Sequence, residues 1–204
     1  MKEYDLSEIK ENLEKRRISA NVFSSSKEVT DYILDNVKPD SIVGIGGSVT
    51  IGELELDQKL QKQGCSIYWH FKAPKDEVME HRLMNQRGDY YLISANAITR
   101  DGRLVNTDGT GNRVSSMIFG PKKVLIIAGK NKNVDNLDEA IDRVKNVAAP
   151  KNARRQSLNL FCAVNDECGD CSSPRRMCNV TTIIEGRPRQ TDMEVLLVDE
   201  ILGY

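Results

Sequence analysis

Short apolar runs alternate with amphipathic stretches along most of the chain, and this alternation limits the folds available to it. The apolar runs lie at residues 41–45, 65–69, 90–94 and 123–128, and each has the length of a buried strand. Helical spacing of apolar residues marks residues 5–18, 26–37, 50–63, 75–87 and 135–147. Strands that alternate with helices are typical of a parallel sheet with helices on both faces. The sequence therefore predicts a Rossmann-like α/β fold.

The pattern changes after Pro150. Residues 151–180 contain four of the five cysteines and little periodicity, and two short strand-like runs follow at 180–184 and 194–198. We predict an α/β domain over residues 1–150, which includes the helices within residues 1–38. Residues 151–204 are predicted to form a small cysteine-rich segment and closing strands that pack on the same domain, because 204 residues suit one domain.

The charge balance argues against several classes of partner. The chain has 29 basic and 30 acidic residues, so it lacks the basic excess of a nucleic-acid-binding protein, and we predict no nucleic-acid partner. The charged N-terminal stretch has no apolar core of a signal peptide, and no apolar run approaches the ~18–20 residues that span a bilayer. We therefore predict a cytoplasmic protein without a membrane span, in which thiols stay reduced.

A glycine-rich loop follows the strand at 41–45 and reads GIGGSVT. Glycine lets the backbone approach a ligand closely, and a strand–turn–helix arrangement directs backbone N–H groups at an anion. The alternative is a tight turn that only joins a strand to a helix. The spacing fits neither the P-loop nor the dinucleotide fingerprint. The predicted anion-binding residues of this loop are Gly44, Gly46, Gly47, Ser48 and Thr50.

A second polar segment, at residues 95–113, has more polar side chains than its two Asp-Gly turns require. Arg113 can clamp a carboxylate or phosphate with two hydrogen bonds. Asp108 and, from the helix after the glycine loop, Glu53 are acid–base candidates; solvated polar residues are the alternative. Lys130 and Lys132 follow the strand at 123–128, where they can neutralise a bound anion. The remaining predicted ligand-binding residues are Asn96, Thr99, Asn106, Thr110 and Asn112.

Four cysteines lie within seventeen residues, in the pattern C-x5-C-x2-C-x6-C. They are Cys162, Cys168, Cys171 and Cys178. Four thiolates suit Zn²⁺ or a [4Fe–4S] cluster, so the pattern predicts a metal site without naming the metal. Disulfides and free thiols remain the alternatives. Cys65 is predicted to be a buried apolar residue, while His70 and His81 lack ligand spacing and are interpreted as structural or surface residues.

Several strings together resemble one family. The segments GIGGSVT, SANAITRDGRLVNTDGTGNRVSSMIFGPKKVLIIAGKNKNV, APKNARR and CNVTTIIEGRP resemble the LUD-domain family, the lactate-utilisation proteins, over residues 5–190. This family is related to sugar-phosphate isomerases and CoA transferases. The glycine loop is similar to the phosphate loop of ribose-5-phosphate isomerase. Residues 95–110 are similar to a loop of methylthioribose-phosphate isomerase, but Asn96 replaces its catalytic aspartate and Thr107 replaces its lysine.

The resemblance implies a role in oxidising lactate to pyruvate together with iron–sulfur partner proteins, and it supplies no catalytic residues. Because such a pathway moves electrons, we slightly favour iron–sulfur over zinc at the cysteines. Two other hypotheses remain: an isomerase- or acyl-transferase-like enzyme, and a non-catalytic partner-binding module held together by zinc. The sequence leaves open the small anionic ligand, whether the chain is catalytic alone, and whether it forms a homo-oligomer.

Overall fold

Six parallel strands form the central sheet of the computed structural model, which describes residues 2–204. The strands within these described residues are β1 (Ser19–Phe23), β2 (Ile42–Ile45), β3 (Ser66–Trp69), β4 (Tyr90–Ile93), β5 (Ala97–Thr99), β6 (Leu104–Asp108), β7 (Lys123–Gly129), β8 (Asn133–Val134), β9 (Val180–Ile184) and β10 (Asp192–Val198). The order in the central sheet is β1-β10-β7-β4-β2-β3, and every neighbouring pair is parallel. The predicted fold class is confirmed.

Helices cover both faces of this sheet. They are α1 (Leu6–Lys15), α2 (Ser26–Asn36), α3 (Val49–Glu53), α4 (Leu56–Lys62), α5 (Val78–Met84), α6 (Asn112–Ile118), α7 (Leu137–Arg143), α8 (Ala149–Arg155) and α9 (Phe161–Asn165). A 3₁₀ turn at Lys130–Lys132 follows β7, and a π-helical turn at Val144–Ala148 joins α7 to α8. No helix within residues 2–204 has both the length and the apolar content to cross a bilayer.

The two faces of the sheet carry separate apolar cores because successive strand residues point in opposite directions. Ile126 of β7 packs with Ile9 and Leu13 of α1, whereas the next residue, Ile127, packs with Ile33 of α2 and its neighbours. All five side chains are fully buried. Such strands, buried on both faces, are the reason that the apolar runs of the sequence are continuous rather than alternating.

The last strand lies inside the sheet rather than at its edge. β10 pairs with β1 on one side, with Ser19 opposite Glu194, and with β7 on the other, with Asp192 opposite Lys123. The closing strand predicted at 194–198 is therefore a central element of the core.

A second, smaller sheet has the order β8-β5-β6-β9. The predicted hairpin corresponds to β5 and β6, which pair antiparallel with Ala97 opposite Val105. β9 pairs antiparallel with β6, so the residues after the cysteines are fixed to the polar segment at Asp108. This sheet packs against α7 through Ala140 and the neighbouring Val144.

Three predicted helices differ from those observed. The helix predicted at 50–63 is divided at Glu55, whose backbone is left-handed with φ 53°. The helix predicted at 75–87 is shorter, at Val78–Met84. The helix predicted at 135–147 continues through the π-helical turn and past Pro150 to Arg155; proline is tolerated there because it lies in the first turn of α8.

Candidate functional site

The strongest candidate site lies at the carboxyl edge of the central sheet, where parallel α/β sheets commonly bind ligands. The segments that follow β2, β4, β7 and β10 meet there and enclose an inner cavity of about 50 Å³. Its lining includes Ser48, Asn96, Arg113, Lys132 and Tyr204. A single water needs roughly 10–15 Å³ by this kind of measure, so the cavity has room for a small organic molecule.

The glycine loop forms one wall of the inner cavity. Ser48 caps α3, with its Oγ accepting a hydrogen bond from the N–H of Ile51 at 3.3 Å. A Cβ on Gly47 would lie 2.6 Å from the Phe71 ring, and a Cβ on Gly46 would lie 2.6 Å from the Tyr91 hydroxyl. Side chains are therefore excluded at both positions by packing, so the loop acts as a tight turn and as a cavity wall at once.

Lys132 carries the buried cation of the inner cavity. Its side chain is 3% exposed, and its Nζ donates a hydrogen bond to the main-chain oxygen of Tyr204 at 2.9 Å. Burial, together with the charges of Arg143 and Arg113 and against the opposing effect of Glu53, lowers the pKa of this ammonium to about 7. Near neutral pH this lysine can therefore take up or release a proton.

Arg113 is held at the start of α6 and separates the inner cavity from a larger space outside it. Its backbone N–H donates to Oδ2 of Asp108 at 2.8 Å, and its Nη1 donates to the Thr107 carbonyl at 3.4 Å. Its Nε is buried without a hydrogen-bond partner among residues 2–204, and no carboxylate of this part of the chain forms an ion pair with it. The guanidinium is thus available to an anionic ligand.

The larger space, here called the outer cleft, has a volume of about 350 Å³. It shares Gly47, Thr107, Arg113, Asn152 and Met177 with the inner cavity. Its other walls come from the ends of β3 and β6, from α5, and from the segment between the last two cysteines. The inner cavity and the outer cleft therefore adjoin each other and share part of their lining.

The structure brings together some of the predicted ligand-binding residues and separates others. Gly47, Ser48, Thr50, Asn96 and Arg113 line the inner cavity. Asp108, Thr110 and Asn112 line the outer cleft. Gly44, Gly46, Thr99, Asn106 and Glu53 line neither of these spaces. The ligand contacts of all these residues remain predictions.

The two acid–base candidates both hold backbone groups. The carboxylate of Asp108 accepts hydrogen bonds from the N–H groups of Arg113, at 2.8 Å, and Thr110, at 3.3 Å. Oε2 of Glu53 accepts from the N–H of Gly203 at 2.7 Å, which fixes the segment that carries Tyr204. In these positions both carboxylates organise the walls of the site.

Several lining residues have no motif in the sequence. Asn152 and Arg155 reach the site from α8, and Tyr204 follows β10. His70 and Phe71, at the end of β3, line the outer cleft together with Arg82 of α5. Only the strand order brings these residues to one place, so local spacing could not reveal them; the position of residues 70–71 directly after a predicted strand was the one available signal.

The four clustered cysteines are partly buried and influence one another electrostatically. Burial raises the pKa of the Cys162 thiol, and the charges of Cys171, Cys178 and Cys168 raise it further. Arg176 donates from Nε to Sγ of Cys178 at 3.3 Å. The donor set matches the chemistry of a thiolate metal site, but within residues 2–204 no three Cys, His, Asp or Glu side chains are arranged to hold a metal ion.

Comparison with known proteins agrees with the resemblance found in the sequence. The LUD domain family model matches residues 6–198. A crystal structure of a DUF162 family protein from Deinococcus radiodurans is similar to this chain with a TM-score of 0.52 and 8% sequence identity, over 95% of each chain. At that identity the likeness shows a shared fold. No curated protein matches the chain.

Proposed function

The chain belongs to the LUD-domain family, which is linked to lactate utilisation, and we propose that it binds a small carboxylate, lactate or pyruvate, in the inner cavity. The observation that carries this proposal is the meeting of Arg113 and Lys132 at one small cavity. Arg113 is a cation without an acidic partner among residues 2–204, and Lys132 is a buried amine. A carboxylate supplies the negative charge that both lack.

Size and charge both favour this class of ligand. A cavity of about 50 Å³ admits a compact molecule and excludes a nucleotide. The Arg113 guanidinium offers paired N–H donors that match the two oxygens of a carboxylate. Lys132 then lies where it can donate a hydrogen bond to a second oxygen of the ligand, or exchange a proton with a hydroxyl.

In this proposal the chain binds and orients the carboxylate, and the electrons are accepted elsewhere. Oxidation of lactate to pyruvate releases two electrons and two protons, and iron–sulfur groups of partner proteins would accept the electrons. Lys132, with a pKa of about 7, is the group in the inner cavity suited to accept the hydroxyl proton. Whether this chain completes the reaction alone depends on the acceptor, which the proposal assigns to a partner.

The test is calorimetric titration of lactate and pyruvate into the wild-type protein and two variants. Arg113→Gln and Lys132→Met are each expected to weaken binding by about tenfold or more, because each removes a charge-assisted hydrogen bond. Arg87→Gln and Lys130→Met are the matched controls: Arg87 is exposed, and Lys130 pairs with Asp199 outside the lining of the cavity. Equal affinities in all five proteins would refute the proposal.

We further propose that the four cysteines hold a metal, with iron–sulfur slightly favoured over zinc. The support for this proposal is the spacing of four potential thiolate donors in the sequence and the charge effects of three of the thiols on Cys162. A bound iron–sulfur cluster would supply one-electron transfer, whereas zinc would only fix the segment. Residues 175–177, between the last two cysteines, line the outer cleft, so either metal would steady that wall.

Metal analysis after anaerobic purification tests the metal proposal. About four iron atoms or one zinc ion per chain is the expected result. Cys171→Ser is expected to lose the metal, and Cys65→Ser, at a buried site apart from the cluster, is expected to keep it. A wild-type protein without either metal would contradict the proposal.

A further inference from the structure

The outer cleft carries more unneutralised positive charge than the proposed carboxylate requires. Its lining includes four arginines, which are Arg82, Arg113, Arg175 and Arg176. Among the ion pairs of residues 2–204, the first three arginines take no part, and Arg176 reaches only the exposed Asp170, at 3.7 Å. The one carboxylate in the lining, Asp108, is already engaged by two backbone N–H groups.

The same lining contains N–H donors that no acceptor of the described chain satisfies. Nε of Arg82, Nε of Arg113 and Nδ2 of Asn112 are all buried without a hydrogen-bond partner within residues 2–204. A buried unpaired donor costs about 1–3 kcal/mol, and more when it is charged. Three such donors from two helices therefore indicate a ligand rich in acceptor oxygens.

Another buried polar group in the outer cleft is His70. The ring is 8% exposed, and its Nδ1 has no hydrogen-bond partner among residues 2–204. Burial, together with the charges of Arg82 and Arg113 and against an opposing effect of Asp108, lowers the pKa of this imidazole to about 4. Both arginines therefore act on one buried ring, which stays neutral at physiological pH and can donate or accept a hydrogen bond.

The arginines approach from different walls. Arg82 comes from α5, Arg113 from the start of α6, and Arg175 from the segment between Cys171 and Cys178. A tetrahedral phosphate presents oxygens in several directions and carries up to two negative charges, so it can pair with guanidiniums on opposite sides. A planar carboxylate offers only two oxygens, which lie in one plane, and carries a single negative charge, so it neutralises fewer of these guanidiniums.

We propose that the outer cleft is a separate binding site for a phosphorylated small molecule, next to the inner cavity. Its volume of about 350 Å³ lies within the range of ordinary small-molecule sites. The proposal goes beyond the carboxylate site and does not rest on it, since Arg82 and Arg175 line the outer cleft and not the inner cavity.

The test uses inorganic pyrophosphate as the probe, in calorimetric titrations of the full chain at fixed ionic strength. The wild-type protein is expected to bind it, and Arg82→Gln and Arg175→Gln are each expected to weaken binding by about tenfold or more. Arg87→Gln, at an exposed arginine outside both linings, is the matched control and is expected to bind as the wild type does. Because Arg175 is also exposed, its replacement tests the site without removing a buried group.

Two results would overturn the inference: no binding of pyrophosphate at millimolar concentration, or equal weakening in the Arg87→Gln control. Lactate titration separates this inference from the proposed carboxylate site. Arg82→Gln is expected to lose pyrophosphate binding and to keep lactate binding. If lactate fails to bind wild-type protein while pyrophosphate binds in the expected pattern, the carboxylate proposal fails and the phosphate site stands.

Discussion

Replacing Lys132 by methionine is expected to stabilise the protein while weakening its binding of a carboxylate. Methionine has nearly the same length and no charge, so it fills the same space without the cost of burying an ammonium. The folded pKa of Lys132 is about 7, whereas a free lysine has its pKa near 10.5. This difference in pKa corresponds to a loss of about 4–5 kcal/mol in the free energy of unfolding at a pH where the unfolded chain carries a protonated Lys132.

The sign of the pH dependence follows from the lowered pKa. Between about pH 7 and pH 10.5 the unfolded chain binds the proton and the folded chain does not, so wild-type stability rises with pH in this window. The lysine costs about 2 kcal/mol at pH 9 and about 4 kcal/mol at pH 7. The Lys132→Met variant also loses the hydrogen bond to the main-chain oxygen of Tyr204, and this loss reduces its gain in stability by about 1 kcal/mol at either pH.

Urea unfolding, followed by the fluorescence of the single tryptophan, Trp69, measures the effect. Trp69 is buried, so its emission reports unfolding directly. Relative to wild type, Lys132→Met is expected to gain about 2 kcal/mol more at pH 7 than at pH 9. Lys130→Met is the control, because Lys130 is exposed and is expected to show no such pH-dependent gap. A wild-type-to-variant gap that is the same at both pH values would refute the reasoning.

Two further predictions concern packing and charge in the core. Gly46→Val is expected to lower the free energy of unfolding by about 1–3 kcal/mol through overpacking, because its Cβ would lie 2.6 Å from the Tyr91 hydroxyl. Gly52→Ala is the control, because its Cβ would lie at an ordinary contact distance of 3.5 Å from the Trp69 ring. Equal urea midpoints for the two variants would contradict the prediction. Burial alone would raise the pKa of Glu194, but its hydrogen bonds, of which the one from Lys123 has the largest effect, hold the pKa below its usual value. The stability that this carboxylate contributes is therefore present at neutral pH and is lost as the pH falls. Glu194→Gln is expected to lower the free energy of unfolding by about 3 kcal/mol at pH 7, because it breaks the ion pair with Lys123, and by less in acid. Urea unfolding at both pH values measures this loss, and a loss of the same size in acid would count against the prediction.

The sequence predicted those parts of the fold that local pattern determines. The run KVLIIA has the apolar continuity of a strand buried on both faces, and β7 lies in the centre of the sheet. Val29 and Ile33 have helical spacing, and both are buried in α2. The glycine loop was expected at the carboxyl end of a strand, and it follows β2 there. In each case neighbouring residues contain the information.

The features that sequence reasoning missed depend on contacts between distant segments. Nothing in residues 192–198 indicates a place between β1 and β7, because pairing partners are not encoded in periodicity. Tyr204 and Asn152 reach the inner cavity only once the sheet and α8 are assembled. The burial of Lys132 was equally hidden, since a lysine in a polar run of sequence is usually solvated.

The central position of β10 also governs when the protein can fold as it is made. Residues 192–198 are synthesised after β1 and β7, yet both strands depend on them for backbone hydrogen bonds. Until then, the apolar strand β7 has an open edge on which other chains can pair, and β1 has no partner strand among the other described residues. Because Ser19 must meet Glu194 across nearly the whole chain, the core closes late and at a high cost in loop entropy. Nascent chains that stop before β10 are expected to require chaperones, whereas β10, once made, pairs with both strands.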